Sequence, residues 1–125
     1  MKQVGRMFRN FDLDLEYGEA GESELLSILK GVKKVEVKTD RLAHLTWNVA
    51  VEFRCYGKNS GISTTEADYW AFVLLDGKMI ILIETNELKV IARQQYKLGN
   101  VKKGGDDHES EMILVPINKL YERSI

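Results

Sequence analysis

The sequence predicts an α+β fold, a single mixed β-sheet flanked by helices, in one domain spanning residues 1–125. Three observations predict it. The segments Val35-Glu36-Val37-Lys38-Thr39-Asp40 and Asn48-Val49-Ala50-Val51-Glu52-Phe53-Arg54 alternate with the two-residue period of a strand. Two apolar runs, Trp70 to Leu75 and Lys78 to Ile83, flank Asp76-Gly77, a two-residue hairpin signal. Two further stretches carry apolar residues at helical spacing.

In chain order, residues 1 to 18 read as an irregular lead-in anchored by Phe8, Phe11, Leu13 and Leu15. Gly18 to Lys30 reads as a helix. Leu25, Leu26, Ile28 and Leu29 form its stripe, Glu19, Glu22 and Glu24 sit where the helix dipole favours acids, and Gly31 ends it. Strands follow at about 34–40 and 47–56, joined as a hairpin, and residues 57–61 form a polar turn. Thr64 to Tyr69 reads as a helical turn capped by Thr64 or Thr65. After the two apolar strands, Glu84 or Thr85 opens a helix to about Tyr96, with Leu88, Val90, Ile91 and Ala92 inward. Gly99 to Glu111 reads as a charged, mobile loop, Met112 to Val115 as a last strand, and Ile117 to Tyr121 as a terminal turn.

Composition narrows the function classes. The 125 residues are 44% hydrophobic and 30% charged, which fits one folded core and excludes a disordered or low-complexity chain. Cys55 is the one cysteine, so no internal disulfide forms, which suits a reducing, cytoplasmic setting. It follows Phe53 on the apolar face and reads as core. A structural zinc site lacks ligands. No apolar run reaches the length of a membrane span, and no signal-peptide core follows the first residues. The net charge of −1 argues against a non-specific DNA coat protein. Cations nonetheless gather around the expected hairpin, at Lys30, Lys33, Lys34, Lys38, Arg41, Arg54 and Lys58.

Strand alternation puts Glu36, Lys38 and Asp40 on one face, and Ala50, Glu52 and Arg54 on one face of the next strand. Paired as a hairpin, they collect three acids, a lysine and an arginine. Crowded carboxylates repel unless positive charge sits among them, and a divalent metal supplies it. An ordinary half-exposed strand also alternates glutamate, valine and lysine, and spacing alone does not separate the two readings.

The ordered segments Gly18-Glu19-Ala20-Gly21-Glu22, Val35-Glu36-Val37-Lys38-Thr39-Asp40-Arg41, Thr46-Trp47-Asn48-Val49-Ala50-Val51-Glu52 and Ser60-Gly61-Ile62-Ser63-Thr64-Thr65-Glu66-Ala67-Asp68-Tyr69-Trp70 add a likeness. Over about residues 11 to 95 the chain resembles small phage proteins of the PD-(D/E)XK nuclease superfamily, which includes Holliday-junction resolvases and restriction enzymes. The resemblance implies a restriction-endonuclease-like core, Mg²⁺ or Mn²⁺ dependence, a DNA substrate and a homodimer in the host cytoplasm. Glu22 would be the helix acid, and Glu36, Lys38, Asp40 and Glu52 the catalytic set. Asp40 and Glu52, then Glu36, would bind metal. Arg41, Arg54, Lys58, Ser60, Thr64 and Thr65 would hold the DNA backbone.

Two registers stay open. Glu36-Val37-Lys38 can be the acid-x-lysine element itself, with no acid between it and the helix. Alternatively Asp40 or Glu36 is the first acid and Glu52-Phe53-Arg54 the second element, with arginine at the lysine position and Lys38 as the working lysine, because arginine does not deprotonate water. The activity expected is phosphodiester hydrolysis on branched or single-stranded DNA. The alternatives are a non-catalytic nucleic-acid-binding module and a protein-interaction domain.

Overall fold

The computed structural model describes residues 2–122, with side chains from residue 15 onward. The chain divides into two compact units, one ending at Lys34 and one beginning at Val35.

The first unit is helix α1 (Lys2–Leu29). It begins far ahead of Gly18, where the sequence places a helix start. Val4, Phe8, Phe11 and Leu15 recur at three- and four-residue steps with no proline, so the lead-in already has the helical period. Its end falls where glycine predicts. Gly31 adopts φ 76°, and the N–H groups of Gly31 and Val32 donate to the carbonyls of Ile28 and Ser27 at 3.1 and 2.9 Å. This is the paired-bond Schellman stop, for which a residue without Cβ is best suited.

The second unit runs β1 (Val35–Thr39), α2 (Ala43–Thr46), β2 (Asn48–Cys55), β3 (Lys58–Asn59), β4 (Tyr69–Leu74), β5 (Met79–Glu84), α3 (Thr85–Lys97), β6 (Val101–Gly104) and β7 (Ser110–Pro116). Its strands form two sheets, not the single sheet expected. In the first, β1 runs parallel to β4, and β4 antiparallel to β5. The second is antiparallel in the order β3-β2-β7-β6. β1 and β2 do not pair as a hairpin. Helix α2 lies between them in the chain, β1 takes the edge of β4, and β2 takes β7.

The core joins both sheets to α3. Trp70, Phe72, Leu88, Val49, Val51 and Val115 are fully buried, each stabilising the unit by about 1.5–3 kcal/mol. On α3, Leu88 and Ala92 are buried four residues apart, while Val90, expected inward, is exposed. On β1 the charged residues take the more covered side. Glu36 and Lys38 are in register with buried Trp70 and Phe72, whereas Val37 on the opposite face is 60% exposed.

Four connections differ from the sequence reading. The β2–β3 turn is the tight pair Tyr56-Gly57, both with positive φ, the primed geometry that suits hairpin twist. The β4–β5 connection is longer than Asp76-Gly77, because Leu75, Asp76 and Gly77 all take left-handed φ. No helical turn spans Thr64 to Tyr69; a 3₁₀ turn occupies Gly61–Ser63 instead. The expected mobile loop after Gly99 contains β6. Its Lys102-Lys103 pair is the charge that edge strands carry against unwanted pairing, which is why it resembles a loop in sequence.

Candidate functional site

Position 53 decides which candidate residues share a face. Glu52 is in register with Met112, but Arg54 is in register with Glu111, so Phe53 is an extra residue in the ladder. Met112 and Glu111 are consecutive and point to opposite faces. The bulge therefore turns Glu52 and Arg54 to opposite sides of the sheet. Strict alternation had put them together. Glu52 shares its side with Ala50, Met112, Leu114 and Lys102. Arg54 lies on the side of Val51 and Ile113, where its Nη1 is 3.6 Å from the Glu111 carboxylate. Cys55 moves too: it is half-buried beside Ser110, Sγ to Oγ 3.5 Å, on the Glu52 side.

The turn after β3 is built against this bulge. The Phe53 carbonyl accepts the Ser60 N–H at 3.1 Å and the Ser63 hydroxyl at 2.8 Å. Gly61 lies so close to the strand that a Cβ there would sit 2.1 Å from the Glu52 carbonyl oxygen, and its φ is 53°. The Ser60-Gly61-Ile62-Ser63 segment thus shapes the backbone around Glu52. Thr65 Oγ1 accepts the Ala67 N–H at 3.1 Å, which is turn chemistry. The Ser60 hydroxyl is buried with no hydrogen-bond partner among the described residues. Thr64, Lys58 and Arg41 are exposed.

Asp40 follows β1 at a corner between the sheets. Its N–H donates to the Val73 carbonyl at 3.0 Å. Its Oδ1 accepts the Leu42 N–H at 2.9 Å, and its Oδ2 accepts the Ala50 N–H at 3.4 Å. Ala50 precedes Glu52 by two residues, about 7 Å of strand. A cavity of about 320 Å³ opens here, lined by Asp40, Thr46, Asn48, Ala50, Met112 and Lys102 among others. Lys102 is the cation sequence reasoning missed. Its signal was the alternation of Lys102 and Gly104, obscured by the neighbouring glycine pair.

Glu36 and Lys38 engage each other instead of Asp40. Lys38 Nζ is 3.5 Å from the Glu36 carboxylate and 5.7 Å above the Trp70 ring. Each partner of the pair is about two-fifths exposed (43% and 42%), so the pair stabilises by about 1 kcal/mol at most. Glu22 is exposed on α1, in the first unit. Among the described residues, no three histidine, cysteine, aspartate or glutamate side chains form a group that could hold a metal.

Asp40 and Glu52 still fit a hard cation in donor type. Both offer only oxygen, and Mg²⁺ is commonly held by one or two carboxylates with waters and substrate phosphate completing the shell. The two amide bonds use part of the Asp40 acceptor capacity and fix the carboxylate's orientation. The chain matches no protein-family model, no curated protein and no solved structure. None of the described helices is long and apolar enough to cross a membrane.

Proposed function

We propose that the protein is a divalent-metal-dependent DNA endonuclease that hydrolyses phosphodiester bonds in branched or single-stranded DNA. The observation that carries this reading is the Asp40 corner. Two backbone amides orient its carboxylate, one of them from Ala50, two residues before Glu52 on β2, and the cavity that Asp40 lines also holds a lysine. The likeness of the four ordered segments to PD-(D/E)XK nucleases supports the same reading, with a restriction-endonuclease-like core and a homodimer acting in the cytoplasm.

In this proposal Asp40 and Glu52 hold Mg²⁺ or Mn²⁺. The bound ion supplies Lewis-acid activation of the phosphate and a more acidic water. Glu36 is a weaker ligand candidate because Lys38 engages its carboxylate. Lys102, on the Glu52 side, replaces Lys38 as the cation placed to orient water or stabilise developing charge. Arg54, expected to hold the DNA backbone, lies across the sheet from Glu52.

Incubating the full chain with labelled single-stranded, duplex and branched DNA, with Mg²⁺, Mn²⁺ or a chelator, tests the proposal. Cleavage that requires the metal supports it. The Glu36–Lys38–Trp70 engagement favours one other reading, a nucleic-acid-binding module without chemistry. That reading predicts salt-dependent DNA binding and no metal-dependent product.

A further inference from the structure

The face of the second sheet that carries Arg54 has its own cavity, of about 430 Å³, between the β2 bulge and α3. Arg54, Lys89 and Arg93 line it, with the aromatic rings of Phe53 and Tyr96, and among the described residues no acidic side chain does. Phe53 and Tyr96 meet edge to face, centroids 5.5 Å apart at 75°. The Arg54 guanidinium carbon lies 5.6 Å above the Phe53 ring. Lys89 and Arg93 are four residues apart on α3, a spacing at which like charges repel. Only Arg54 has an ion-pair partner among the described residues, Glu111 at 3.6 Å. Lys89 and Arg93 are thus the uncompensated charges here, and an anion entering the concavity would relieve their repulsion.

We propose that this cavity binds a nucleotide unit, its phosphate held by Arg54, Lys89 and Arg93 and its base stacked on the exposed ring of Tyr96. The volume lies within the range of small-ligand sites. Guanidinium forks suit phosphate oxygens, and an aromatic face suits any base. The unit comes either from a free nucleotide or from a single-stranded nucleic acid, which share this chemistry. The site lies on the opposite side of the sheet from Glu52 and Lys102 and does not rest on the nuclease reading.

Calorimetric titration of the full chain in chelator tests it with AMP, inorganic phosphate and the oligonucleotide (dT)₁₀ as probes. Saturable AMP binding with Kd below about 1 mM is expected, with phosphate at least tenfold weaker. Arg93→Ala and Lys89→Ala, both on the helix surface, each weaken AMP about tenfold. Tyr96→Leu weakens AMP about fivefold or more and leaves phosphate unchanged. Tighter binding of (dT)₁₀ than AMP, lost with Arg93→Ala, assigns the unit to a nucleic acid strand. AMP binding without (dT)₁₀ binding assigns it to a free nucleotide. Wild-type affinity in both Arg93→Ala and Lys89→Ala, or no binding of any probe, overturns the proposal. Equal affinity for AMP and phosphate, unchanged by Tyr96→Leu, overturns the base contact. Because no metal is present, failure of DNA cleavage leaves these outcomes unaffected.

Discussion

Gly61 shows how much of the candidate site is held by backbone. A methyl group there meets the Glu52 carbonyl at 2.1 Å, in a left-handed conformation that L-residues adopt at a cost. Gly61→Ala is expected to destabilise the protein by about 2–5 kcal/mol, from backbone strain plus overpacking. A thermal melt within about 3 °C of wild type would show that the turn is free to move away from Glu52. Asp40 carries two tasks, which two substitutions separate. Asp40→Ala leaves the Leu42 and Ala50 amides without their acceptor and should cost about 1–3 kcal/mol. Asp40→Asn keeps one oxygen for one of the two amides, sets its NH2 against the other and removes the charge, so it should cost about half as much as Asp40→Ala while removing metal binding. Equal destabilisation by both, measured by denaturant midpoint, would mean that the amide bond retained by Asn contributes nothing.

Among elements, the bulge at Phe53 has the largest functional consequence. It moves Arg54 across the sheet and leaves Lys102, with Lys58 opposite Cys55, on the Glu52 side. Lys102→Ala should lower the single-turnover cleavage rate by about 10²-fold with little change in DNA affinity. Arg54→Ala should weaken DNA binding and leave the rate at saturating DNA largely intact. The reverse pattern would place Arg54 in the chemistry and contradict the bulge. The strands themselves were legible, because alternation in β1, β2 and β7 and the continuous apolar runs of β4 and β5 are local signals. The bulge was not. An extra residue is defined by its partner strand, and β7 lies more than fifty residues away. The parallel pairing of β1 with β4 was hidden for the same reason, and it separated Glu36 and Lys38 from Glu52. β6 was missed because charged edge strands and loops share a composition. Of the candidate site, Asp40 and Glu52 were readable as residues; the amides that orient Asp40 and the cations at 89, 93 and 102 needed tertiary placement.

At the scale of the molecule, the core draws on residues from Ala43 to Ile117, all within the second unit. A fragment of residues 35–125 is therefore expected to unfold cooperatively, with coincident transitions by circular dichroism and Trp fluorescence. Non-coincident or gradual melting would mean that α1 is needed for the core to form. In the proposed function, Asp40 and Glu52 together would hold a divalent ion at the site of DNA hydrolysis. The most direct measurement is the single-turnover cleavage rate of wild type, Asp40→Asn and Glu52→Gln in Mg²⁺, each first shown to be folded at the assay temperature. The account predicts metal-dependent cleavage by wild type and a loss of about 10²-fold or more in each variant. Cleavage at the wild-type rate in both variants, or none by wild type with Mg²⁺ or Mn²⁺, would contradict it.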